Sequence, residues 1–179
     1  SQLHRNRIVA QAFALSSSAE SATAYQQLLS ANLDTTTIVH TGNRWQVFVR
    51  KQDPKDVGFV FSGLGFWDKI TGIVVLSSDL SQIRALKILQ QSETPGLGAR
   101  IEETDFTDQF KNFVIQWDKQ PESRVVFGAS GSGKATLNAI TGATQTSLAF
   151  VKMLNQAFEA FKADYQAALS TGNVKPAQP

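Results

Sequence analysis

Apolar and polar positions alternate with two different periods along this chain. Residues 3–15 carry Ile8, Val9, Ala12, Phe13 and Leu15 at mostly helical spacing. Ser16-Ser17-Ser18 breaks that pattern, and a second short helix is expected over 19–29, with Ala22, Tyr25, Leu28 and Leu29 on one side. From residue 36 the period shortens to two. A short strand over 36–41 and a Gly42-Asn43 turn precede 44–50, where Trp45, Val47 and Val49 alternate with Gln46, Phe48 and Arg50. Further strands are expected over 57–62, ending at Gly63-Leu64-Gly65, and over 69–76 and 83–90, with Ser77-Ser78-Asp79 between them as a hairpin turn. A short helix over 105–110 and strands over 113–117 and 124–127 follow. The strongest pattern comes last. Leu148, Val151, Leu154, Phe158, Phe161, Tyr165 and Leu169 mark one face of a helix longer than five turns. Asn155, Glu159, Lys162 and Gln166 are assigned to its polar face, and Gly172 ends it. The expectation is an α+β fold: a single domain over 1–172, its largely antiparallel sheet flanked by N- and C-terminal helices, with 173–179 as a flexible tail.

Composition narrows the function classes. The 179 residues are 42% hydrophobic and 18% charged, which excludes wholesale disorder. The net charge is only +2, with Lys and Arg scattered rather than striped, so no nucleic-acid partner is expected. Cysteine is absent, which removes disulfides, zinc thiolates and cysteine-ligated iron–sulfur clusters. His4 and His40 are far apart and fit no metal-ligand spacing, so no metal is expected. No apolar run reaches the ~20 residues that a membrane helix needs. The chain opens inside a helical pattern, as expected of a sequence whose natural start lies further upstream.

Two glycine-rich stretches compete as phosphate sites. Gly128-Ala129-Ser130-Gly131-Ser132-Gly133-Lys134 follows the apolar strand pattern Val125-Val126-Phe127 and fits part of a P-loop. The magnesium-holding Ser or Thr of that motif is replaced by Ala135, and no doubly wound α/β pattern surrounds it. A nucleotide binder is therefore the weaker reading, with Lys134 left to help balance phosphate charge. The other stretch, Thr141-Gly142-Ala143-Thr144-Gln145-Thr146-Ser147, opens the terminal helix. Helix starts present unpaired N–H groups and partial positive charge to a phosphate.

Asn138-Ala139-Ile140-Thr141-Gly142-Ala143-Thr144 resembles the flavinylation motif of the FMN-binding domain family: Asp, two variable residues, Ser or Thr, Gly, Ala, Thr. Glu93-Thr94-Pro95-Gly96-Leu97-Gly98 resembles the same family's Glu-Thr-Pro-Gly-Leu-Gly loop, and Gly63-Leu64-Gly65-Phe66-Trp67 its glycine turn before an aromatic. Residues 3–15 resemble the helix that follows the family's membrane anchor. The three motifs occur in the family's order. One departure is Asn138, where the family has Asp.

The resemblance implies FMN held covalently by a phosphoester to Thr144, installed by a flavin transferase. It implies a redox subunit without turnover of its own, working among other subunits of a membrane oxidoreductase complex that moves Na⁺ or H⁺. The family includes sodium-pumping and ferredoxin-linked branches, and the N-terminal Leu3-His4-Arg5-Asn6-Arg7 leans toward the former. The implied location is the extracytoplasmic (periplasmic) face, tethered by a helix upstream of residue 1. Expected cofactor-binding residues are Thr144, with Thr141, Gly142, Ala143, Thr146 and Ser147 around the phosphate; Glu93, Thr94, Leu97 and Gly98 at the flavin; and Lys134 and Trp67. Thr146 and Ser147 serve equally well as helix caps. Pro95-Gly96 suits a type II turn. Trp45 and Trp117 are assigned to the core. Asn138 favours an alternative, a flavin-free binding domain on the same scaffold.

Overall fold

The computed structural model describes residues 1–15, 18, 21–128 and 136–174. Five antiparallel strands follow one another in sequence order: β1 (Leu33–His40), β2 (Asn43–Arg50), β3 (Val57–Leu64), β4 (Lys69–Leu76) and β5 (Ile83–Gln90). Two short helices, α1 (Gln2–Ala12) and α2 (Ala22–Asn32), precede the sheet; the single-turn α3 (Thr104–Thr107) and α4 (Thr144–Ser170) follow it. The expected α+β class and antiparallel sheet are thus observed, as is the 69–76/83–90 hairpin. Among the described residues no helix is long and apolar enough to cross a membrane.

Both faces of the sheet are covered. On one, Phe59 stacks against Phe161 with ring centroids 3.7 Å apart, and Phe61 faces Phe150 of α4. On the other, Val9 and Ala12 of α1, with Phe13 just after it, join Phe48, Ile73 and Val75 in a second, smaller core. Double coverage explains why Ile70, Ile73, Val74, Val75 and Leu76 are all buried on one strand: with no solvent face, alternation has no purpose. It also explains Phe48, whose place on the polar side of the β2 alternation put it outside the main core.

Several expectations need correction. Helix α1 ends at Ala12 rather than residue 15, because Ala14 turns to φ 55°. Helix α2 starts three residues late, where Ser21 caps it by accepting from the Ala24 amide at 3.1 Å. The expected strands over 113–117 and 124–127 do not form; the first contributes only an isolated bridge, Gln82 to Val114. At the second, Asn155 substitutes for a neighbouring strand. Its Oδ1 accepts the Val125 amide at 3.0 Å, and its Nδ2 donates to the Val125 carbonyl at 2.8 Å. Asn155 is therefore buried, not on the polar face of α4, whereas Leu148, expected in the core, is exposed. Beyond α4, Val174 is buried and its amide bonds to the Ala168 carbonyl. Residues 175–179 lie outside the described residues.

Helix α4 spans 27 residues, about 40 Å. Its far half is fixed by Asp164, buried against the β1–β2 hairpin. Trp45 Nε1 donates to Oδ2 at 2.8 Å and Asn43 Nδ2 at 3.1 Å, while Thr41 Oγ1 donates to Oδ1 at 3.2 Å and His40 Nδ1 lies 2.9 Å from it. Burial alone would raise the Asp164 pKa. The hydrogen bonds from Trp45, His40, Asn43 and Thr41 outweigh it and hold the carboxyl below its ordinary 3.8. A depressed folded-state value stabilises the fold above the unfolded value and loses that contribution as pH falls through the folded one. The stability margin of the native chain over Asp164→Asn should therefore shrink as pH falls below about 4. Urea unfolding at stepped pH measures this; a margin independent of pH would contradict it.

Candidate functional site

At the opposite end of α4, a second buried carboxylate gathers the three sequence motifs. Glu93 stands at the start of the Pro-Gly loop, after β5. Its Oε1 accepts the Phe66 amide at 2.8 Å, and its Oε2 accepts the Trp67 and Asp68 amides at 3.0 and 3.2 Å. Thr146 Oγ1, in the first turn of α4, donates to Oε1 at 3.0 Å. Four donors thus converge on one side chain: three amides from the turn joining β3 to β4 and one hydroxyl from α4. Both oxygens are satisfied, which is what a buried carboxylate requires.

The Pro-Gly loop is folded tightly over this anchor. The Thr94 carbonyl accepts from the Leu97 and Ala99 amides, and Gly96 sits at φ 74°, as the third position of a type II turn demands. Gly98 is where the loop meets α4. A Cβ built there would lie 2.5 Å from Thr146 Oγ1 and 3.0 Å from Glu93 Cβ, so only glycine lets the Thr146–Glu93 bond pass beneath the loop. Leu97, 46% exposed, leans toward Gly142, whose own position at φ 82° shapes the turn before α4.

Thr144 is the first residue of α4 and is exposed. Ala143 occupies the N-cap position and supplies no side-chain cap, so the helix start lacks the Ser, Thr, Asp or Asn that usually closes it. The amides of Thr144, Gln145 and Thr146 have no acceptor within the helix by its geometry. The Ser147 hydroxyl is engaged internally: it donates to the Ala143 carbonyl at 2.9 Å and accepts the Ile140 amide at 3.0 Å. The hydroxyls of Thr146 and Ser147 therefore both serve the fold. What they leave open toward an outside anion is backbone N–H and the Thr144 Oγ.

The sequence-derived candidates thus fall into groups. Thr141, Gly142 and Thr144 are exposed around the start of α4, with Ala143 buried between them. Thr94 and Leu97 are exposed on the neighbouring loop, and Glu93 and Gly98 are buried beneath it. Trp67 is 66% exposed beside Phe66, with ring centroids 4.9 Å apart, whereas Trp45 is buried and Trp117 half-buried, as expected. Leu64 at the end of β3 and Phe66, Trp67 and Leu97 on these loops are large apolar side chains left exposed. Lys134 lies outside the described residues, with most of the P-loop-like stretch. Sequence reasoning passed over Gln109, whose side chain brackets the backbone of Asn138; nothing in the periodicity around 105–110 marks it.

The profile of the FMN-binding domain family matches residues 65–159, more than half of the chain and all three motifs except Gly63-Leu64. Among curated proteins, the NqrC component of the Na⁺-translocating NADH-quinone reductase of Pasteurella multocida is 32% identical over 123 residues, covering 66% of this chain and 47% of that protein. Its counterpart from Vibrio alginolyticus is 33% identical over 87 residues, covering 48% of this chain and 34% of its own length. The chain spans about half the length, or less, of these relatives. Among solved structures, NqrC of Shewanella oneidensis superposes with a TM-score of 0.78 at 18% identity, over 94% of this chain and 98% of that one. The Parabacteroides distasonis counterpart gives 0.71 at 20% identity, over 90% of each. At those identities the likeness is one of fold.

Two glycines on the same loop should respond differently to alanine. Gly98→Ala forces a Cβ into Thr146 and Glu93 and should cost about 1–3 kcal/mol. Gly96→Ala meets nothing within 4 Å and bears only the strain of its left-handed φ, about 1 kcal/mol. Urea denaturation measures both; an equal or reversed order would contradict the packing described.

Proposed function

This chain belongs to the FMN-binding domain family, and on that premise we propose that it carries FMN as a phosphoester on Thr144 Oγ and relays electrons within a membrane oxidoreductase complex that moves Na⁺ or H⁺. The observation that carries the reading is the exposed hydroxyl of Thr144 on an uncapped helix start, within a family-matched segment.

The residues present suit the group. A phosphate at Thr144 gains the free amides at the head of a helix of more than seven turns, with its partial positive charge. Gly142, with no side chain, lets the phosphate approach the backbone. Leu97 and Trp67 offer exposed apolar surface on the flanking loops for a flat ring, and the hydrogen-bonded Glu93 keeps those loops in place. FMN supplies the electron chemistry when bound; the protein supplies placement and surroundings. An ester link removes the binding equilibrium, so occupancy does not depend on free flavin. An exposed site suits electron transfer, which needs close approach by a partner centre.

In this reading 1–172 act as one domain and 173–179 as its tail. The partners are other subunits of the complex and, for maturation, a flavin transferase. The location is the periplasmic face of the membrane, held by a helix upstream of residue 1. The names of the curated relatives favour the sodium-translocating branch over the ferredoxin-linked one. Asn138, exposed where the family has Asp, favours a second reading: a domain that kept the scaffold and binds no flavin.

Intact mass separates the two. After co-expression with a flavin transferase, the chain should gain the mass of one FMN less one water, and Thr144→Ala should not. Yellow colour should persist through urea denaturation of the unsubstituted chain only. Equal masses, allowing for the substitution, would overturn the flavin reading and support the flavin-free one.

A further inference from the structure

Two side chains hydrogen-bond to the backbone of the segment carrying Thr144. At one end, Gln109 Oε1 accepts the Asn138 amide at 2.8 Å and Gln109 Nε2 donates to the Asn138 carbonyl at 3.2 Å. A primary amide thereby plays the part of a neighbouring strand for one residue. At the other end, the buried Ser147 hydroxyl accepts the Ile140 amide and donates to the Ala143 carbonyl. Gln109 is itself well founded. It lies in the 3-10 turn Asp108–Phe110, and Phe110 and the nearby Phe106 are buried against Phe150 of α4 at centroid distances of 6.0 and 5.7 Å. With Ile140 and Ala143 buried in the core, these bonds leave the side chains of Asn138, Thr141 and Thr144 exposed.

We propose that Gln109 is a positioning residue for the modification of Thr144, pre-ordering the 138–144 segment for docking by the flavin transferase. The inference rests on the Thr144 reading above. The reaction it serves takes a flavin dinucleotide as donor. Thr144 Oγ bonds to the phosphorus on the flavin side, the pyrophosphate P–O bond breaks, AMP leaves with the electron pair, and the hydroxyl proton passes to a base of the transferase. Gln109 touches none of these atoms. Its effect is on the conformational freedom that the acceptor segment loses when it docks, and so on the apparent affinity for the chain.

The test measures initial rates of flavin incorporation by a purified flavin transferase with FAD as donor, against the concentration of acceptor chain. Gln109→Ala should raise KM for the chain about tenfold, the equivalent of the two lost hydrogen bonds, with kcat within about twofold. Hydrogen exchange at the Asn138 amide should accelerate in parallel. Gln109→Glu keeps the acceptor for the Asn138 amide and loses the donor, so its KM should fall between the two; it also carries the test if the alanine variant fails to fold. Incorporation into the native chain, absent in Thr144→Ala but with equal KM in the Gln109 variants, would overturn this inference alone. Absence of incorporation into the native chain would overturn the Thr144 reading and this inference with it.

Discussion

The candidate site depends on one buried carboxylate. Glu93 is where the β3–β4 turn, the Pro-Gly loop and the first turn of α4 meet, and each contributes backbone or side chain to its surroundings. Hydrogen bonds to a charged acceptor are worth more than neutral ones, and a buried acceptor stripped of its donors costs still more. Loops of this kind would otherwise drift, because loops carry few packing contacts of their own. Here the loops that carry the exposed Leu97 and Trp67 are tied to the same carboxylate as the first turn of α4.

The same logic recurs at the other end of α4. Asp164 collects donors from the β1–β2 hairpin as Glu93 collects them from the β3–β4 turn. Between the two, about 27 Å of helix separates Thr146 from Asp164, packed on the sheet by Phe150, Phe158 and Phe161. One element thus carries both restraints, and the aromatic core fixes its register against β3. Thr144, two residues before the Glu93 contact, inherits that precision while remaining outside the core.

Much of this was legible in the sequence. The sheet could be read because β-branched and aromatic runs are separated by glycine, proline and short polar turns; β4 and β5 match their expected bounds, whereas β1 starts at Leu33, three residues before the expected 36, in a polar stretch that resembles a loop. Helix α4 could be read from the spacing of its apolar positions, and the three motifs from their residues. The misreadings share a physical cause. Asn155 and Leu148 exchanged places because periodicity registers hydrophobicity, not hydrogen-bonding demand: a buried backbone amide and carbonyl at Val125 needed an amide side chain more than the core needed another leucine. The 113–117 and 124–127 stretches looked like strands and form no ladder: the first meets the chain at the start of β5 through a single bridge, Gln82 to Val114, and at the second the Asn155 side chain pairs with the Val125 backbone. Glu93, expected at the flavin, holds the amides of the β3–β4 turn and the Thr146 hydroxyl with its carboxylate, a role its residue type did not announce. Residue type alone does not separate a ligand contact from a foundation.

That foundation can be measured at its own hydrogen bonds. Amide hydrogen exchange at Phe66, Trp67 and Asp68, followed by NMR in the native chain and in Glu93→Gln, isolates the three donors that the carboxylate holds. The carboxamide replaces one acceptor oxygen with a donor, so exchange at those amides should accelerate by at least about tenfold while exchange in the centre of β4 stays as it was. Unchanged protection at all three amides would contradict the claim that this carboxylate organises the site.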